Sequence, residues 1–236
     1  MNVYHTPEYQ AYRRKCAFVF SEEHRSSLPG ETRELPEGYS VRTDYYAGQL
    51  TYQLRAARHR LLDSGGQVVY TWDNMDYDGE FYTLIAHANG NHYLIFREDL
   101  YGYSVLELET GKELHYFPDR SWQPGWETFI WTGAQYDPRS GLLAVSGCFW
   151  ACPNGTLLLD FSAPLEEQGW EQWLDVQDVV DPDYDIYDDI DLERFGEDGL
   201  LYFKTTSDED GSPGSFVLPV DQALELARKK KSTDKE

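Results

Sequence analysis

The chain has 236 residues, with 42 Asp and Glu against 20 Lys and Arg, and its formal net charge is −22. A charge of this sign repels nucleic acids and anionic membrane surfaces, so the sequence predicts neither as a partner. A hydrophobic content of 41% and an aromatic content of 15% argue against disorder, and the length is sufficient for one globular core.

The first 44 residues carry no sustained pattern and are predicted to be an irregular N-terminal segment. Within it, residues 9–20 suit a short helix or an edge strand, and the proline- and glycine-rich residues 26–40 suit a loop. Repeated β units are predicted over residues 45–220. The first unit has strands at 50–62 and 67–72, although the Ala and Arg content of the former also suits a helix.

The remaining units have clearer strand patterns. In the second unit, Asn89-Gly90 is the strongest hairpin signal, since this dipeptide is flanked by alternating apolar residues. The predicted strands of the second unit are 81–87, 92–97, 103–108 and 112–117. Those of the third are 128–135, 142–150, 156–161 and 173–176, and those of the last are 189–195, 200–205 and 215–220. A short helix is predicted over residues 221–231, and residues 232–236 are predicted to be a disordered tail.

Three glycine turns align as the first hairpin of successive units: Asn89-Gly90, Ser140-Gly141 and Asp198-Gly199, about 51 and 58 residues apart. With the segments at 105–117 and 195–203, which are similar to outer and inner strand pairs, the chain resembles a WD40-like β-propeller over about residues 45–220. The glycine-histidine and tryptophan-aspartate signatures are not at the expected places. The resemblance implies a binding platform.

The predicted fold class is therefore all-β, with repeated antiparallel meanders, propeller-like and either four-bladed or incomplete, and a short C-terminal helix. A single β-domain over residues 1–231 accounts for the pattern. A β-barrel or a β-sandwich would produce similar strand runs and stays open as an alternative.

The most acidic stretch, residues 175–191, holds eight aspartates and no Lys or Arg. Tyrosines between the charges suit a docking surface for a basic protein, because interfaces favour Tyr as an anchor. The predicted partner-binding residues are Asp181, Asp183, Tyr184, Asp185, Tyr187, Asp188 and Asp189. A solvated acidic loop and a calcium loop are alternatives, although Ile186 and Leu192 stand where an EF-hand requires Gly and Glu.

Trp122, Trp126 and Trp131 lie close together in the sequence; core packing is the first explanation for this aromatic cluster, and an aromatic surface that binds a sugar or a peptide is the second. Cys148 and Cys152 could be a zinc pair or a redox pair, but free cysteines buried in an aromatic core explain them better. With Cys16 the count is odd and no signal peptide is visible, which favours a reducing cytoplasm.

No nucleophile-elbow, phosphate-loop or zinc-protease motif occurs in the chain. The sequence therefore favours a non-enzymatic binding protein without a cofactor, whose acidic, tyrosine-rich surface engages a basic partner protein. One concrete version is an immunity-type inhibitor of a cationic toxin. The alternatives are a carboxylate-dependent hydrolase or lyase acting on carbohydrate, and a structural or regulatory module without a specific ligand.

Overall fold

The computed structural model describes residues 1–27, 29–75, 81–150 and 152–233. These residues form fifteen strands in four antiparallel sheets, together with three α-helices and short 3-10 turns. The sheets follow one another along the chain, and in each sheet the strands are neighbours in sequence order. Every sheet is thus a meander, and the predicted all-β fold class with a C-terminal helix is confirmed.

The first sheet contains β1 (Glu31–Glu34), β2 (Ser40–Gln49), β3 (Gln53–Leu62) and β4 (Val68–Asn74). The second contains β5 (Tyr82–Ala86), β6 (His92–Phe96), β7 (Tyr103–Glu107) and β8 (Glu113–Tyr116). The third contains β9 (Ile130–Asp137), β10 (Leu142–Cys148), β11 (Asn154–Asp160) and β12 (Leu174–Asp175). The fourth contains β13 (Tyr187–Phe195), β14 (Leu200–Ser207) and β15 (Pro213–Pro219). The helices are α1 (Pro7–Cys16), α2 (Gln177–Val180) and α3 (Val220–Thr233).

The second and third sheets are buried on both faces, which removes the simple alternation of apolar and polar residues. Along β6, Tyr93 and Ile95 pack into a cluster shared with the third sheet, whereas Leu94 and Phe96 pack against the first sheet. The third sheet likewise places one face of β10 against the second sheet and the other against the fourth. The four meanders therefore stack face to face in chain order.

The stack is open within the described part of the chain. Hydrophobic clusters join the first sheet to the second, the second to the third, and the third to the fourth, and none of the described clusters joins the fourth to the first. Helix α3 packs Ala223 and Ala227 into the cluster between the third and fourth sheets. In the C-terminal half of α3, Arg228 forms an ion pair with Asp160, with its Nε 3.3 Å from the carboxylate.

The N-terminal segment is more regular than predicted. It contains α1, with Thr6 as its N-cap, and the first sheet begins at Glu31 rather than at residue 45. All four residues of β1 are exposed, and β2 buries Asp44, so neither strand shows apolar alternation. Arg25 and Arg60 pair with Asp44, which makes its burial tolerable.

A buried polar network ties α1 to the second sheet. The Glu98 carboxylate accepts hydrogen bonds from Arg13 Nη2 at 3.0 Å and Ser104 Oγ at 2.9 Å, and it pairs with His115 Nδ1 at 2.8 Å. Although burial opposes ionisation, His115 and Arg13 hold the pKa of Glu98 at about 2. None of the helices in the described ranges is long and apolar enough to cross a bilayer.

Candidate binding site, an acidic and aromatic face

The loop between α2 and β13 is organised around Asp181, which is 1% exposed. Its carboxylate accepts the backbone N–H groups of Asp185 at 3.2 Å, Ile186 at 3.0 Å and Tyr187 at 3.0 Å, and the side-chain amide of Gln177 at 2.8 Å. Burial would raise the pKa of Asp181, but these hydrogen bonds hold it below its ordinary value. Asp181 is thus an internal anchor, and its predicted place on the partner-binding surface is corrected.

Around this anchor the loop presents charge and apolar area to solvent. The side chains of Asp183, Asp185 and Asp188 are exposed, and Tyr184 and Ile186 are 58% and 49% exposed. Tyr184 adopts a left-handed backbone with φ of 56°, an uncommon conformation for a residue with a side chain. The anchor fixes the acidic groups in one arrangement with two large apolar side chains between them.

Tyr187 and Asp189, the other two predicted residues of this stretch, connect it to its surroundings. Tyr187 is half-buried and stacks on Phe216 with ring centroids 5.7 Å apart. Asp189 Oδ1 accepts the backbone N–H of Asn154 at 2.7 Å. These contacts join the end of the Asp-rich loop to β15 and to the start of β11.

The described residues between β10 and β11, which are 149, 150, 152 and 153, add more exposed aromatic area. Phe149 and Trp150 are 38% and 62% exposed, and the backbone N–H of Trp150 donates to Glu127 at 2.8 Å. Cys148 is half-buried and Cys152 is exposed, and both are free thiols, so the expectation of two buried cysteines is wrong for Cys152. A bend at residue 151, which could bring them together, lies outside the described residues. No group of three or more His, Cys, Asp or Glu in the described ranges could hold a metal.

The three tryptophans of the predicted aromatic surface separate. Trp131 is fully buried and stacks on Tyr103 at 4.6 Å between the second and third sheets, so its place on a surface is corrected in favour of core packing. Trp122 and Trp126 are 38% and 53% exposed and line an open cleft of about 710 Å³. Tyr12, a further aromatic wall of this cleft, comes from α1.

Arg120 connects the cleft to the Asp-rich loop. Its guanidinium lies over the Trp126 ring at 4.4 Å and over the Trp170 ring at 4.8 Å, so it makes a cation–π contact with each indole. Trp170 in turn lines a smaller cavity together with Tyr184. Trp126 and the Asp-rich loop therefore lie along one continuous face. We call this surface, from Trp126 through Trp170 to Tyr184 and the exposed aspartates of the loop, the acidic–aromatic face.

The smaller cavity has a volume of about 180 Å³. It is lined by Phe129, Phe149, Leu157, Trp170, Glu171, Trp173, Asp175, Asp178, Tyr184 and Lys230. Burial, reinforced by the nearby charge of Asp178, raises the pKa of Asp175 to about 6. Asp178 Oδ1 accepts the Tyr184 hydroxyl at 2.5 Å. The cavity thus combines aromatic walls with three carboxyl groups, of which Asp175 has a raised pKa.

Sequence reasoning identified the exposed part of this face but missed the cavity. Asp175 and Asp178 belong to the aspartate-rich stretch, yet nothing in their spacing separates them from the solvated aspartates that follow. Trp170 precedes β12, and Lys230 lies near the end of α3, about 60 residues away. Their meeting depends on how α3 packs against the third sheet, which local patterns do not encode.

No family model matches the chain, and no curated protein sequence is similar to it. Among solved structures it is similar to a bifunctional GH43-CE protein of Bacteroides eggerthii, with 13% identity over 83% of this chain and 24% of that chain, at a TM-score of 0.34. It is also similar to the GH43 protein BlXynB of Bacillus licheniformis, with 12% identity over 80% of this chain and 40% of that chain, at a TM-score of 0.33. The chain spans less than half the length of either protein, and likenesses at these TM-scores carry no functional argument.

Proposed function

We propose that the chain is a non-enzymatic protein-binding module whose acidic–aromatic face engages a basic partner protein. The observation that carries the proposal is the preorganised loop around Asp181, which holds three exposed aspartates beside Tyr184 and Ile186. An immunity-type inhibitor of a cationic toxin is the concrete version, in which the acidic face occupies the toxin's basic substrate-binding surface.

Two physical arguments support a basic partner. Exposed carboxylates on a chain of net charge −22 attract a cationic protein over several ångströms and accelerate the encounter. Exposed aromatic side chains such as Trp150 and Tyr184 then supply apolar contact area, which dominates the energy of most interfaces. Because the loop is already ordered, docking loses little conformational entropy.

The proposal is tested by capture from a lysate of the source organism with three baits. The first is the wild type, the second carries Asp183→Asn, Asp185→Asn and Asp188→Asn, and the third carries Glu31→Gln, Glu34→Gln and Glu37→Gln. The control residues are exposed and belong to the first sheet or the turn after β1. Each variant removes three negative charges, so the two variants differ only in where the charge is lost.

We expect one basic protein to bind the wild type and the Glu variant and to be lost from the Asp variant. Equal capture by all three baits would mean that the basic protein binds through the net charge of the chain rather than through this loop, and it would contradict the proposal. Capture of no specific protein would favour a structural module without a ligand. Asp189 is left unchanged because its contact with Asn154 stabilises the surface itself.

A carboxylate-dependent hydrolase is the second candidate, and one observation favours it. Asp175, with its pKa raised to about 6, faces the same cavity as Asp178, and a carboxyl with a raised pKa beside a second carboxyl is the arrangement that a general acid requires. The test is release of nitrophenol from a panel of aryl glycosides by the wild type and by Asp175→Asn. Turnover that is lost in the variant would support an enzyme, and no turnover by the wild type would count against it.

A further inference from the structure

The small cavity of the acidic–aromatic face is built from aromatic rings and carboxyl groups. Trp170, Trp173 and Phe129 contribute rings, and Phe149 and Tyr184, which are partly exposed, bring the cavity to the molecular surface. Its volume of about 180 Å³ is below the range of roughly 300–1,000 Å³ that is typical of small-molecule pockets. The dimensions suit a single side chain.

The charges around the cavity are unbalanced. Three of its lining residues carry carboxyl groups, Glu171, Asp175 and Asp178, and one, Lys230, carries an ammonium group. Within the described part of the chain no ion pair joins Lys230 to these carboxyls. The Asp175 carboxyl is half-buried and accepts the backbone N–H of Gln177 at 2.9 Å, but it has no cationic partner at hydrogen-bond distance in the described part of the chain. Negative charge held beside aromatic faces favours occupation by a cation.

We propose that this cavity receives the guanidinium group of an arginine side chain supplied by the basic partner. The inference rests on the proposed function and names the group that the acidic–aromatic face recognises. A guanidinium stacks on aromatic rings and is more weakly hydrated than an ammonium, so it loses less on entering a partly dry site. The chain already holds one guanidinium in this way on the same face, since Arg120 lies over Trp126 and Trp170.

Occupation depends on pH through the groups that face the cavity. Asp175 releases its proton near pH 6, and Glu171 and Asp178 face the same cavity from the neighbouring 3-10 turn and from α2. Lys230 faces the site from α3 and opposes the incoming cation, and the Tyr184 hydroxyl donates to Asp178. A guanidinium does not titrate in this range, so its affinity should fall as the pH is lowered through about 6.

The experiment uses methylguanidinium as the probe and N-methylurea as its neutral counterpart of similar shape. Binding to the full chain is measured by calorimetry and by the change in tryptophan fluorescence at pH 7.5 and pH 5. We expect methylguanidinium to bind about tenfold more tightly than N-methylurea at pH 7.5, and this ratio to shrink at pH 5.

Three variants test the location. Asp178→Asn, which removes a charge from the cavity, should weaken methylguanidinium about fivefold. Lys230→Met removes the cation that faces the cavity from α3 and should tighten binding, so the prediction does not depend on a variant that only loses structure. Glu34→Gln, which removes one exposed carboxylate of β1 outside the cavity lining, should leave it unchanged.

Equal binding of the charged and neutral probes would overturn the inference, as would equal effects of the variants inside and outside the cavity or no binding of either probe. The capture experiment with Asp183, Asp185 and Asp188 changed does not involve the cavity. Selective capture without probe binding would therefore refute the arginine pocket alone, whereas probe binding without selective capture would refute the protein-binding function.

Discussion

Replacing Asp175 with Asn should stabilise the fold at neutral pH, because the half-buried carboxyl is held in an unfavourable charged state. Its pKa rises from 3.8 to about 6 on folding. At 1.36 kcal/mol per pKa unit, protonated Asp175 stabilises the folded state by about 3 kcal/mol relative to ionised Asp175. The folded state binds the extra proton, so this contribution is lost as the pH rises from about 4 to 6.

The magnitude gives a measurable pH profile. Relative to the wild type, Asp175→Asn should gain about 3 kcal/mol at pH 7.5 and about 1 kcal/mol at pH 4.5. The amide oxygen of Asn can still accept the Gln177 N–H, so the geometry of the turn is preserved. Urea denaturation at the two pH values measures both numbers. A variant that is less stable than the wild type, or whose effect is the same at both pH values, would refute the reasoning.

Three further perturbations test the structural account by chemical denaturation. Asp181→Ala leaves three loop N–H groups without their acceptor and should cost about 2–3 kcal/mol, with faster hydrogen exchange confined to the loop; unchanged exchange would contradict the anchor. Glu98→Gln should weaken the pairing with Arg13 and destabilise the fold at neutral pH. That loss should disappear as the pH falls from 4.5 to about 2, since the wild-type carboxyl is then protonated too. Gly147→Ala places a Cβ 2.0 Å from the Ile130 carbonyl oxygen at a β-bulge and should cost more than about 2 kcal/mol; a neutral effect would contradict this close approach.

The strands that the sequence predicted are those whose turns carry a local signal. Gly90, Gly141 and Gly199 all adopt positive φ in the hairpins where they were expected. β1 was missed because all four of its residues are exposed, and β2 was missed because it buries Asp44, which is paired with Arg25 and Arg60, so neither strand shows apolar alternation. Sequence rules that count hydrophobic residues do not detect a strand of this kind.

The site was predictable in part for a similar reason. An aspartate-rich loop with tyrosines is visible as a pattern, so Asp183, Tyr184 and Asp185 could be selected. Whether an aspartate faces solvent or folds back onto backbone N–H groups, as Asp181 does, depends on loop conformation. The burial of Trp131 likewise depends on how β9 packs against the preceding sheet, which the local sequence pattern does not encode.

The central claim is tested most directly by the association rate constant between this chain and the basic protein captured with it, measured by stopped flow at about 50 mM and about 500 mM salt. The account predicts that the wild-type rate falls at least tenfold between the two conditions. It also predicts that changing Asp183, Asp185 and Asp188 to Asn flattens this dependence, whereas the Glu31, Glu34 and Glu37 control does not. A wild-type rate that is the same at both salt concentrations would contradict recognition through the acidic–aromatic face.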